Sequence, residues 1–403
     1  MQNNATGLLP YMAGREAYFQ YFDGFIEEAY IQYRDTRQSS GLEKTYMLET
    51  VSSDQEQVTI QEIFRRSGYT LTRIENEQQL FRIADPENPG YFLGLLEMLH
   101  SRYPVIYTLL PANKSDPLIH KLVDSNPYLD RLWLSASVFS ELWDLVELTT
   151  PPHRYSRLTF EHEALYELWD EDAILPQHLR TQLSERRNSR FTLVDRVAVI
   201  KQKLEPLRTT YTPLFSITHL RFPAAGRGGH DLYFDGKVTN RSSSFANHRE
   251  TVQLVADMYG RLTTSAEDAL WLGVQPRGGQ SGFGFTGSTV TIRFGQELDQ
   301  ATFSRWIISI FGKKRNRFRL SGYPNWISQS RVHVNAIDHH LWQPLQLEFT
   351  TKGILGILPH GTCANTINRL ITNVQRFVDP AVEAWIGETP YRELVAASLR
   401  NAS

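Results

Sequence analysis

Residues 231–240 (DLYF-DG-KVTN) constrain this chain more than any other stretch, with four residues on each side of Asp235-Gly236. Asp-Gly suits the positive φ angles of a two-residue type I′ turn, so the segment is expected to close as an antiparallel β-hairpin. A lone hairpin is marginal in water and needs further strands and a covering layer. The sequence around it can supply both. Residues 214–222, 288–294, 331–337, 345–350 and 354–358 read as strands. Between them lie helices with apolar stripes at three- and four-residue steps: Val252, Val255, Tyr259 and Leu262; Phe303, Trp306, Ile307, Ile310 and Phe311; Ile367, Leu370, Ile371, Val374 and Phe377. Asp299 suits the start of the second helix and Gly312 its end. The pattern predicts an α+β fold: a helix-rich mixed N-terminal half, then a largely antiparallel sheet with helices on one face.

A chain of 403 residues exceeds one ordinary core. The texture divides it into a mixed α/β region at 1–114, a helix-rich, charge-segregated region at 115–210 and an α+β region at 211–403, with the main boundary near Thr209–Thr212. In the first region Tyr18, Phe22, Phe25, Ile26, Ala29 and Tyr33 mark a helix over 15–34. Strands are expected at 43–51, 69–74, 79–83 and 103–110, the last stopped by Pro111, and a helix at 58–66. That helix ends in Arg65 and Arg66; with the strands after it, the outline also fits a winged helix, although cations in a last turn serve the helix dipole equally well. In the middle region, residues 160–174 are acidic and 185–208 basic, which predicts pairing across a helical hairpin or two solvated faces. An acidic surface guarding a basic groove is the sharper alternative.

Composition narrows the class. Hydrophobic residues at 41% and charged residues at 21% are ordinary for a globular chain. A net charge of −2 argues against a protein basic throughout, and leaves local basic patches open. One cysteine, Cys363, forbids an intramolecular disulfide. Residues 1–12 lack a basic-then-apolar leader, and no apolar run nears the ~18 residues that span a bilayer. The expectation is a soluble, cytoplasmic protein with no membrane partner.

Most catalytic patterns fail on context. Residues 282–287 match G-x-G-x-x-G but precede a strand rather than open a helix, so a glycine-rich surface loop is expected. Asp235 and Lys237 form D-x-K, which with Asp231 offers a metal-dependent nuclease or other hydrolase as an alternative. His333, His339 and His340, with His360 nearby in sequence, lack zinc-site spacing; His339 and His340 read as exposed turn histidines, with general acid–base use and a hydrolase built on the His333–His340 cluster remaining open. Cys363 at an expected helix start, with His360 before it, is a weaker nucleophile candidate. No metal or cofactor is implied.

The best signal is basic and aromatic. Lys313, Lys314, Arg315, Arg317 and Arg319 are interleaved with Phe318, Tyr323 and Trp326, suited to phosphates and unpaired bases. The leading expectation is therefore a non-catalytic binding or scaffold subunit of a larger intracellular assembly. It would have protein partners and contact DNA or RNA through this patch and through Arg186, Arg187 and Arg190. A third reading is a sensor of a small anionic ligand, closed by glycine-rich loops at Arg227 and Arg277.

Overall fold

The computed structural model describes residues 6–36, 42–50, 58–88, 90–163, 189–276, 282–312 and 316–400. The chain forms two compact units, each from two main stretches: Met1–Leu132 with Leu220–Gly260, and Trp133–His219 with Arg261–Asn401. Strands and helices both abound and the large sheets are antiparallel, so the fold is α+β. Among the described residues, no helix is long and apolar enough to cross a membrane.

In the first unit the strands run in the order Thr70–Arg73, Leu80–Ala84, Tyr91–Met98, Pro104–Thr108, Lys44–Thr50, Lys237–Asn240 and Gly229–Tyr233. Each pairs antiparallel with its neighbour. One face, carrying Tyr46, Leu48, Phe81, Ile83, Leu96 and Ile106, packs with Ile63, Phe64, Ile119, Leu122 and Val123 of the helices Ile60–Arg66 and Ala112–Asp124. On the other face the Phe245 ring sits 5.1 Å from Tyr107 and 4.8 Å from Phe22 of the Gly14–Thr36 helix. Covered on both sides, the Lys44–Thr50 strand is buried along nearly its whole length.

The hairpin forms with a different register. Asp231 pairs with Thr239 and Leu232 with Val238, so the loop is one residue longer than the expected two. Gly236 N–H donates to Tyr233 O at 3.1 Å, and Gly236 alone of the loop takes a positive φ, +75°. That is a type I turn closed by a left-handed glycine. Type I′ would demand positive φ at Asp235 too; instead the Asp235 carboxylate is held by Arg131, and Gly236 O accepts from Met47 N.

The second unit is built on a sheet ordered Leu320–Ser328, Arg331–Asp338, Gln343–Thr350, Gly353–Ile357, Val290–Arg293, Glu383–Ile386 and Thr389–Pro390, antiparallel throughout. The helix Gln300–Phe311 covers one face: Trp306 meets Phe349 at 5.3 Å, and Asp299 caps the start by accepting from Thr302 N. The helix Asn365–Phe377 is buried on every side, so its polar side chains must be satisfied internally. Arg369 pairs with Asp338 and donates to Phe318 O; Asn368 accepts from Tyr391; Gln375 accepts from Ala136 N. Cys363 lies just before this helix and is 2% exposed.

Two segments differ from expectation. The described part of the acidic block lies at the end of a strand, and that of the basic block is a strand followed by the Val197–Arg208 helix, not a helical hairpin. Tyr155–His162 and Ser189–Arg196 form a ladder in which Glu161 faces Arg190, so the opposite charges do pair, across a β register. Residues 164–174 of the acidic block lie outside the described residues. The glycine-rich stretch is a strand as well: Phe283–Thr286 pairs with Gly273–Pro276 as a two-stranded ribbon. Gly287 ends it at φ +83°, where a Cβ would meet Trp271 O at 2.2 Å.

Candidate functional site

Strict alternation in the Arg331–Asp338 strand sends Val332, Val334 and Ala336 to the core and Arg331, His333, Asn335 and Ile337 to the opposite face. The flanking strands follow the same rule, and the open face carries two rows of aligned residues. One is Tyr323, Asn335, Gln346 and Ile357; the other is Asn325, His333, Glu348 and Leu355. These eight residues line a shallow hollow of about 340 Å³. Tyr323 stands 86% exposed at its border. Glu348 is held below the usual carboxylate range by Arg331, 2.7 Å away, and by His333, 2.8 Å away. The face thus offers a phenol, an imidazole and three amides, with its one acid already compensated.

The basic-aromatic patch divides. Lys313, Lys314 and Arg315 lie outside the described residues, as do Arg186, Arg187 and Arg277. Tyr323 lies on the open face, whereas Trp326 sits on the helix side, edge-on to Phe303 at 5.8 Å. Phe318 and Arg319 are buried, the latter at a left-handed φ of +53°. Arg317 stacks over Phe377 at 4.9 Å. Arg190 pairs with Glu161, and Arg227 is exposed in the first unit.

The other candidates separate also. Asp231 is gripped by both Arg221 and Arg241, Asp235 by Arg131, and Lys237 by Asp116 at 2.6 Å. His333 bonds Glu348, and His339 bonds Ser321 at 2.5 Å. The expectation of exposed turn histidines fails for His340, which is fully buried beneath the turn with its N–H on Asp338. His360 packs against Trp271 at 4.7 Å.

Sequence reading passed over a buried polar chain in the first unit. Asn247 Oδ1 accepts from Ala225 N at 3.2 Å and Asn247 Nδ2 donates to Glu250, which fixes the amide. His230 Nε2, 3.1 Å from that oxygen, must therefore donate, and its Nδ1 accepts from His248 Nδ1 at 3.1 Å. His248 Nε2 is left to accept from the Thr45 hydroxyl at 2.7 Å, and Thr45 Oγ1 lies 2.6 Å from Glu43 Oε1. Every bond is made when Glu43 is protonated and both imidazoles are neutral. Burial drives the same state, pushing Glu43 up to about 8, His230 down to about 4 and His248 well below its ordinary value. His248 Nε2 also lies 3.1 Å from Glu43 Oε2, so moving one proton gives a carboxylate–imidazolium contact pair with the same heavy-atom contacts, at the cost of two buried charges.

Comparison with known proteins places the whole chain. A relative from Methanocaldococcus jannaschii, whose printed description is "Uncharacterized protein MJECL33", is 22% identical over 408 residues, covering 92% of this chain and 93% of its own. No solved structure matches. The profile of the MJECL33-like protein family matches residues 12–392, and the chain belongs to that family.

Proposed function

We propose that this protein is a binding subunit that takes single-stranded nucleic acid across the open sheet face of its second unit. The observation that carries the reading is the pair of aligned rows, Tyr323–Asn335–Gln346–Ile357 and Asn325–His333–Glu348–Leu355. Unpaired bases need flat faces to stack on and amide groups that meet their edges. Tyr323 and His333 offer the first; Asn325, Asn335 and Gln346 offer the second. The cationic run Lys313, Lys314 and Arg315 shortly precedes the first strand of this face in sequence, a source of phosphate contacts.

The test is fluorescence anisotropy with labelled single-stranded RNA and DNA oligonucleotides at several salt concentrations. Base stacking on an aromatic side chain is worth about 1–3 kcal/mol, so Tyr323→Ala is expected to weaken binding by roughly 5- to 150-fold. Affinity is expected to fall as salt rises. Equal binding by wild type and Tyr323→Ala, or indifference to salt, would sink the proposal.

A further inference from the structure

The second unit holds another cleft, of about 440 Å³, within the ~300–1,000 Å³ typical of small-molecule sites. Arg208 lines it from the end of the Val197–Arg208 helix. Its Nε donates to Leu214 O at 3.2 Å and its guanidinium lies 5.4 Å from the Phe215 ring centre. These contacts fix the side chain without a salt bridge among the described residues; burial lowers its pKa, and the nearby Glu205 carboxylate offsets this only in part. A held, partly desolvated cation lining a cleft is poised for an anion.

Independent groups line the same cleft. The Ala136–Thr149 helix begins there, with Val138 N on the Ser135 cap and Ala136 N on Gln375 Oε1. That leaves both the N–H and the hydroxyl of Ser137 without a partner among the described residues, at the positive end of the helix. Arg392 adds a second guanidinium with no ion-pair partner in the described set. Trp385 contributes a flat indole, and Glu383 an acceptor for hydroxyl or amino protons.

We propose that this cleft binds a small phosphorylated ring compound of the nucleoside-monophosphate class. Arg208, Arg392 and the Ser137 N–H and O–H hold the phosphate, Trp385 and Phe215 take the ring, and Glu383 receives the sugar hydroxyls. The site is separate from the open face, and neither reading depends on the other.

Isothermal titration of the full chain with AMP, adenosine and inorganic phosphate tests it. AMP is expected to bind about tenfold or more tightly than either fragment. Arg208→Gln is expected to weaken AMP by about tenfold or more. Because Arg208 also braces Leu214, a second variant guards against misfolding: Ser137→Asp places an acid in a first helical turn, where it favours the fold, yet repels phosphate. That variant is expected to keep or raise the melting temperature while losing AMP. Absence of AMP binding at millimolar concentration, equal affinity for AMP and adenosine, or unchanged binding by folded Ser137→Asp would each overturn the proposal.

Discussion

Glu43, His230 and His248 make stability depend on pH in two opposing ways. Folded Glu43, at about 8, keeps a proton that the unfolded carboxyl, near ~4.3, gives up; its contribution is present at low pH and lost as pH rises toward 8. The imidazoles run the other way. Neutral when folded, they are destabilised as pH drops below ~6.5, where the unfolded chain takes up protons that they refuse. Stability is therefore expected to peak near pH 6.5 and to fall toward pH 8 by about 1.4 kcal/mol per pH unit for the one proton involved. Glu43→Gln can still donate to Thr45, and is expected to flatten the alkaline fall while keeping the acid one. Urea titrations at pH 5, 6.5 and 8 measure this, and an unaltered alkaline fall in the variant would refute the protonated carboxyl. None of this was legible beforehand. His230 and His248 are 18 residues apart and Thr45 is 203 from His248, so only the fold brings them together.

At the scale of elements, local pattern read well wherever one face is buried and the other is wet. The Gln300–Phe311 helix and the Arg331–Asp338 strand stand where their periods of 3.6 and 2 put them. The polar positions of that strand already contained His333 and Asn335, one residue from each row of the open face. What was missed is its neighbour Leu320–Ser328, hidden because Gly322, Pro324 and Asn325 are weak strand formers. Pro324 is tolerated because the strand is an edge of the sheet. The hairpin at 231–240 was legible as a hairpin and not as a register, since the choice between two and three loop residues rests on Asp235 meeting Arg131. Gly236→Ala tests that turn. A left-handed backbone costs a non-glycine residue about 1–2 kcal/mol, and the new methyl would stand 2.9 Å from Met47 O. A loss of at least this size is expected in urea denaturation; no loss would mean that the turn is free to rearrange.

For the whole molecule, composition and helix-and-strand texture were enough to reach an α+β class, whereas the interleaving of chain stretches was not. Residues 220–260 carry the hairpin into the first unit, beside strands from residues 44–108, and nothing in local sequence marks so distant a partnership. The family match spans nearly the whole chain, so both the open face and the buried polar chain fall inside the matched region.

The buried Cys363 has a practical consequence. Since it is the sole thiol, the native protein is expected to react slowly with a maleimide and to expose one reactive group per chain on unfolding. Prompt reaction of the folded chain would show that solvent reaches it. If it stays silent, Asn325→Cys gives a single addressable position on the open face, where a dye would test the proposed oligonucleotide binding without any background to subtract.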